Sequence, residues 1–215
     1  MSDTAQALIQ RVTDTLYAPF RYSGAGIPEG VQTSEPGWIY HDTNNGLLWF
    51  KKTGSAATGW KAMAGPLSTD TTQTGNVGTG EDTLQTFTIP AGMLKDNGDA
   101  IRLLVVGTFA NNSNARTLKV KFGSATILQR SSTNGSGAAI PWQVEATIIR
   151  TAATTQKIVI RYICWGDLSA TENLTYTTGA QDLTAAVAVT VTGEGTATDD
   201  IVKQMFQLEF LPATS

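Results

Sequence analysis

The chain is poor in the side chains on which most enzyme chemistry depends, with one histidine, His41, and one cysteine, Cys164, among 215 residues. A zinc set built from imidazole and thiolate fails on supply. So does a Ser-His-Asp or Cys-His triad, whose geometry requires all of its members together. No serine lies in a Gly-x-Ser-x-Gly elbow, and Gly24-Ala25-Gly26 fails as a dinucleotide fingerprint because the next glycine is Gly30 and Pro28 intervenes. A lone cysteine makes no intramolecular disulfide. Cys164 sits in the apolar run 158–165, where a small buried thiol fits.

Charge is scarce as well, at 15% of residues, against about 25% in an ordinary soluble domain. The net charge of −3 includes no basic run, which argues against a nucleic-acid partner. No apolar stretch reaches 18 residues, and the first twenty carry Asp3 and Asp14. The expectation is therefore no membrane span and no cleaved secretory signal. Asn-x-Ser/Thr triplets begin at Asn111, Asn134 and Asn173, but without such a signal they carry no meaning.

Thr, Gly, Ala and Ser fill the polar positions, a bias toward strands and turns. Within residues 3–17, Ala5, Leu8, Ile9, Val12 and Leu16 fall on one stripe at helical spacing, and Pro19 follows. This predicts a short amphipathic helix over 1–20 with Leu8, Ile9, Val12 and Leu16 as its apolar face, packed on its own domain or used for docking and oligomerisation. Residues 21–64 read as a small β module. Asn44-Asn45-Gly46 marks a reversal between two strands, and Trp60 closes a third. Trp38, Tyr40, Trp49, Phe50 and Trp60 are either the core of this module or, for Trp38, Trp49 and Trp60, a platform on which a glycan or partner stacks. Residues 65–82 are rich in Gly and Thr and offer little to bury, so they read as a linker.

Over 83–215 the apolar residues recur with period two. Leu118, Val120 and Phe122 alternate with lysines, and Trp142, Val144, Ala146 and Ile148 alternate with polar residues. Further strands are expected over 84–89, 100–109, 125–129, 156–165, 173–176, 185–192 and 202–211. The fold class is mainly β: a short N-terminal helix, a small β-hairpin module and a C-terminal antiparallel β-sandwich of jelly-roll type. The runs Leu103 to Val106 and Phe206 to Leu211 read as apolar on both faces. A strand of that kind needs a second cover, supplied either by neighbouring loops or by oligomerisation, and the latter makes Leu104, Val106, Phe206, Leu208 and Phe210 candidates for a subunit interface.

Two weaker chemical readings concern carboxylates. Glu194, Asp199 and Asp200 share one loop that could hold calcium, although acidic turn residues more often bond their own backbone. A pair of acids meeting across a cleft could hydrolyse a glycan, yet the sequence singles out none of the 18. No catalytic, cofactor or metal site is expected.

Gly24, Gly26, Pro28 and Gly30, followed by Gly37 and Tyr40, then Leu48, Trp49 and Lys51, and finally Gly59-Trp60, resemble a segment of tailed-phage fibre and virion-appendage proteins. The second domain, 83–215, is similar to the C-terminal β-domain of such proteins. That likeness is carried by Thr88-Ile89-Pro90-Ala91, Asn97-Gly98-Asp99, Gly107-Thr108-Phe109-Ala110, Lys119-Val120-Lys121-Phe122-Gly123, Trp142-Gln143-Val144-Glu145-Ala146-Thr147, Thr192-Gly193-Glu194 and Leu208-Glu209-Phe210-Leu211-Pro212. The chain departs from the pattern in the bulk of Trp38 after Gly37 and in having no shaft repeats.

The resemblance implies a homotrimeric virion component, assembled in the host cytoplasm, that grips other virion proteins through its N-terminus and presents a β head to a host glycan or protein. Capsid decoration or head fibre is the alternative placement. A glycan-degrading fibre tip and a cellular carbohydrate-binding module are the rival functions.

Overall fold

A computed structural model of the chain describes residues 21–133, 138–164 and 171–213. The helix expected over residues 3–17, with Leu8, Ile9, Val12 and Leu16, lies outside the described residues. Among those described there is no helix. The protein is all-β in several sheets, and it divides into two compact units, residues 1–63 and 64–215.

The first unit is a four-stranded sheet. Strand β1 (Arg21–Gly24) runs parallel to β2 (Ile39–Asp42), which pairs antiparallel with β3 (Leu47–Lys51), and β3 pairs with β4 (Trp60–Ala62). Asn44-Asn45-Gly46 makes the β2–β3 reversal, with Gly46 at a φ of 67° that a side chain would strain. Asp42 anchors that turn by accepting from the Gly26 amide at 2.9 Å, the Asn44 amide at 3.0 Å and Asn45 Nδ2 at 2.6 Å. Tyr40, Leu47, Trp49 and Trp60 are buried, with the Tyr40 and Trp60 rings edge to face at 5.9 Å. So few aliphatic residues leave aromatics to supply the apolar area. Buried Lys51 lies over the Trp60 ring and donates to the carbonyls of Ala56 and Thr58. Glu29 accepts from the Trp60 amide at 3.0 Å.

The second unit holds two sheets. One has the order β10 (Ala125–Ser132), β9 (Arg116–Phe122), β14 (Val187–Gly195), β7 (Gly80–Ile89). The other has the order β13 (Thr171–Gly179), β12 (Thr155–Cys164), β11 (Ile140–Ala152), β8 (Ala100–Phe109), β15 (Ile201–Leu211), β5 (Gly65–Asp70), with β6 (Thr74–Gly75) also on β15. All its pairings are antiparallel. Each sheet buries one face. From the seven-stranded sheet come Leu103, Val105, Trp142, Val144, Ile158, Ile160, Phe206 and Leu208; from the four-stranded sheet come Leu118, Val120, Phe122, Val189 and Val191. Strand β15 lies against β14, β7 and β9, and β10 approaches β12. At Gly107 a Cβ would lie 2.2 Å from both the Trp142 ring and the Val202 carbonyl, so only glycine fits beneath that indole.

Residues 65–82, expected as a linker, instead contain β5, β6 and the start of β7. Thr and Ser suit a half-exposed strand, and Pro66 is tolerated because β5 lies at a sheet edge. Pairing with β15 supplies the burial that the segment's own composition does not. A second correction concerns Phe206, Leu208 and Phe210. They recur at every second position, so they share one face, and all three are fully buried inside the chain. Their side chains have no surface left for a subunit contact.

Buried polar groups hold the loops. Lys203 is fully buried and reaches Asp70 Oδ2 at 2.6 Å, tying β15 to β5. That hydrogen bond, with one from the Thr72 amide, holds the Asp70 carboxyl down to about 2. Asp200 is buried where the segments 76–78, 110–116 and 195–201 meet. It accepts from Asn112 Nδ2 at 2.7 Å, Asn114 Nδ2 at 3.0 Å, the Thr196 amide at 2.9 Å and the Ala197 amide at 2.7 Å. Burial pushes its carboxyl up, but the hydrogen bonds from Asn112, Asn114, Ala197 and Thr196 outweigh it and bring it to about 2. Buried Asn76 joins the same cluster, accepting from the Ile201 amide at 2.9 Å and donating to the Ala197 carbonyl at 2.8 Å. On the outer face of the four-stranded sheet, Lys119 and Lys121 hold the Glu81 carboxyl at about 2 against its partial burial, with help from Thr192.

Two stability predictions follow from these groups. Asp200→Ala strands several buried donors and should cost about 3 kcal/mol, read as a lower urea midpoint by circular dichroism; an unchanged midpoint would show that water replaces the carboxylate. All three carboxyls lie lower in the fold than the ordinary unfolded range of about 4. Their contribution is therefore complete only above about pH 5 and is lost as pH falls toward 2, where the unfolded chain takes up protons first. Thermal midpoints should drop steeply across that window, and Glu81→Gln should make the drop shallower.

Candidate functional site

The outward face of the seven-stranded sheet brings together carboxylate, guanidinium, amide and hydroxyl groups around one surface depression. Register fixes its rows. Glu172, Ile163, Gln143, Val106 and Met205 form one row across β13, β12, β11, β8 and β15. The next is Leu174, Arg161, Glu145, Leu104 and Gln207, and the third is Tyr176, Val159, Thr147, Arg102 and Glu209. Side chains of one strand face outward at every second position. A bulge between Lys203 and Met205 resets β15, so that Gln207 and Glu209 point out while Phe206, Leu208 and Phe210 point in.

At the centre lies a shallow depression of about 260 Å³ lined by Arg102, Leu104, Glu145, Thr147, Gln207 and Glu209. Each carboxylate has a glutamine on its own strand: Gln143 Nε2 donates to Glu145 at 2.7 Å, and Gln207 Nε2 to Glu209 at 3.1 Å. Each also has an arginine, Arg161 at 3.7 Å from Glu145 and Arg102 at 3.8 Å from Glu209. Arg161 in turn reaches Glu172 at 2.7 Å, and that hydrogen bond holds its guanidinium protonated even more firmly than usual. The floor offers amide, carboxylate, hydroxyl and guanidinium groups around Leu104. That is a set suited to hydrogen-bonding a polar, hydroxyl-rich surface, since few precisely placed polar groups over an apolar floor give orientation and specificity.

Trp49 and Trp60 are each 1% exposed and so are excluded from any stacking platform. Trp38 is half-buried and stacks on Tyr22 with ring centroids 4.7 Å apart. Of the two readings, Trp49 and Trp60 follow the core one, and the alternative platform of Trp38, Trp49 and Trp60 is reduced to that one stacked pair, because the module has little else with which to fill its core. Leu104 and Val106 do lie on the outward face of β8, both partly exposed. In the acidic loop, Asp200 has its oxygens turned to N–H donors, Glu194 lies 3.6 Å from Lys119, and no His, Cys, Asp or Glu cluster fit for a metal exists among the described residues. His41 is exposed on β2.

Arg102, Glu145, Gln207 and Glu209 were not singled out by the sequence reading. The signal that would have found three of them is a repeated Gln-x-Glu doublet, Gln143-Val144-Glu145 and Gln207-Leu208-Glu209, in strands that flank β8 on either side. That adjacency is invisible until the strand order is known.

No protein-family model matches the chain, and no curated protein matches it. Among solved structures, arcelin-5, a lectin-like defence protein from Phaseolus vulgaris, is 8% identical with a TM-score of 0.26 over 86% of this chain and 96% of its own. The VP2 subviral particle of infectious bursal disease virus is 12% identical with a TM-score of 0.24 over 80% of this chain and 53% of its own. Scores this low carry no argument about this chain.

Proposed function

We propose that the chain is a structural component of a tailed-phage virion, a homotrimeric tail-fibre or appendage protein. Its N-terminal segment grips other virion proteins, and its second unit, a jelly-roll sandwich, meets a host glycan or protein. The observation that carries this reading is that several residues of the fibre-like motif, among them Gly24, Pro28, Lys51, Gly59 and Trp60, are ones on which the first unit's fold depends. A Cβ at Gly24 would lie 2.5 Å from the Tyr40 hydroxyl, and one at Gly59 would lie 2.3 Å from the Thr53 carbonyl. The Pro28 carbonyl accepts from the Val31 and Gln32 amides, at 3.1 and 2.9 Å. Lys51 and Trp60 close the core. A motif that encodes a whole interlocked module is harder to meet by chance than scattered identities.

The polar depression around Leu104 suits host contact, because its groups stand on strands rather than on a mobile loop. Placement on the capsid, as a decoration or head fibre, differs only in what the N-terminus grips. A glycan-degrading tip is the second reading, favoured by Glu145 and Glu209 sharing one surface depression.

Immunogold labelling of virions of the encoding phage, with antibody raised to the whole chain, should decorate tail or capsid; unlabelled particles known to be intact would refute the virion assignment. In the same series, the purified chain incubated with host capsule should release no new reducing ends. Release that disappears in Glu145→Gln or Glu209→Gln would replace the structural reading with a hydrolytic one.

A further inference from the structure

Strand β13 lies at an edge of the seven-stranded sheet, and among the described residues it pairs with β12 alone. An unpaired strand edge is a row of free N–H and C=O groups, which proteins normally blunt with proline, charge or a bulge. The other three edges in this unit are blunted. On β5 there is Pro66 and a register shift opposite Leu208 and Glu209. Strand β10 has a shift between Thr126 and Leu128 and carries Arg130. Strand β7 faces a shift between Val191 and Thr192 that breaks the regularity of its pairing.

Strand β13 has none of these devices. Its nine residues, Thr-Glu-Asn-Leu-Thr-Tyr-Thr-Thr-Gly, run against β12 without a shift and include neither proline nor a basic residue. The one charge, Glu172, is already taken up by Arg161. Leu174 and Tyr176 project from its outward face with 72% and 61% of their surface exposed, beside Val159 at 42%.

We infer that β13 is an interface with a second copy of this chain, the two β13 strands pairing antiparallel about a two-fold axis at Thr175. The occupant is identified by self-complementarity. An axis at Thr175 sets Leu174 opposite Tyr176 of the second copy, and Tyr176 opposite its Leu174, so each exposed apolar side chain gains an apolar cross-strand partner. Glu172 then faces Thr178, and like charges never meet. Neighbouring registers do worse. An axis at Leu174 sets Glu172 against Tyr176, and one at Tyr176 sets Leu174 against Thr178. Self-pairing of one patch is how a closed two-fold contact arises, and it turns two open sheets into one continuous sheet.

The inference is independent of the virion reading and compatible with a three-fold contact elsewhere, in which case it joins two trimers. Opposed residues of an antiparallel pair have Cα atoms about 4.5 to 5.5 Å apart, within disulfide reach. Mild oxidation of Thr175→Cys should therefore give a covalent dimer on a non-reducing gel, while Thr177→Cys, which would face Asn173 of the second copy, should not. Cys164 is buried and stays out of the reaction. Adding Tyr176→Lys to Thr175→Cys should weaken the cross-link at least about tenfold by setting a charge against Leu174, with an unchanged circular dichroism spectrum showing that the exposed site tolerates lysine. Absence of the Thr175→Cys dimer, or equal cross-linking at Thr177→Cys, overturns the contact. Neither result bears on whether the chain is found on virions.

Discussion

The bulge in β15 between Lys203 and Met205 is the constraint on which the second unit depends. A one-residue insertion in a strand exchanges its faces from that point on. Before the bulge, Ile201 and Lys203 point inward; after it, Phe206, Leu208 and Phe210 do. Strand β15 pairs with β8, β5 and β6 and lies against the four-stranded sheet, so its parity decides the core of both sheets. The same bulge turns Gln207 and Glu209 outward. The polar depression and the apolar interior are therefore two consequences of one irregularity.

Where the sheets end, polar side chains take over from apolar ones. Asp200 takes the backbone amides of Thr196 and Ala197 and the side-chain amides of Asn112 and Asn114, and Asn76 takes the Ile201 amide; a carboxylate with several N–H donors is a stronger anchor than a neutral acceptor. Lys203 does similar work laterally, holding β5 to the sheet through Asp70. The low charge of the chain is thus partly misleading. Several of its charges are structural rather than solvating, which also explains why the acidic loop carrying Asp200 offers nothing to a cation.

The outward face of the seven-stranded sheet is divided by chemistry. Its middle is a braced polar field in which each glutamate answers to a glutamine and an arginine, while its β13 end is apolar and unguarded. A braced polar field costs little to leave in water and can exchange those contacts for a ligand's. Exposed Leu174 and Tyr176 are costly to leave in water and suit a permanent neighbour. The two regions fit different partners.

Strand positions were legible in the sequence, because period-two alternation of apolar residues is a local property. The strands expected at 84–89, 100–109, 118–122 and 140s positions such as Trp142 to Ile148 all fall within β7, β8, β9 and β11. The aromatic core of the first unit was legible for a similar reason: too few aliphatic residues exist to bury anything else. What only the tertiary structure decided is which strands are neighbours and which face of each looks inward. Residues 65–70 and 74–75 became strands because β15 offered them an edge, and Phe206, Leu208 and Phe210 left the surface because alternation and a bulge together turned them inward. Glu145 and Gln207 came to line one depression because β8 lies between their strands. Local pattern reports what a segment can be, whereas pairing across a hundred residues of chain depends on contacts that no window of sequence contains.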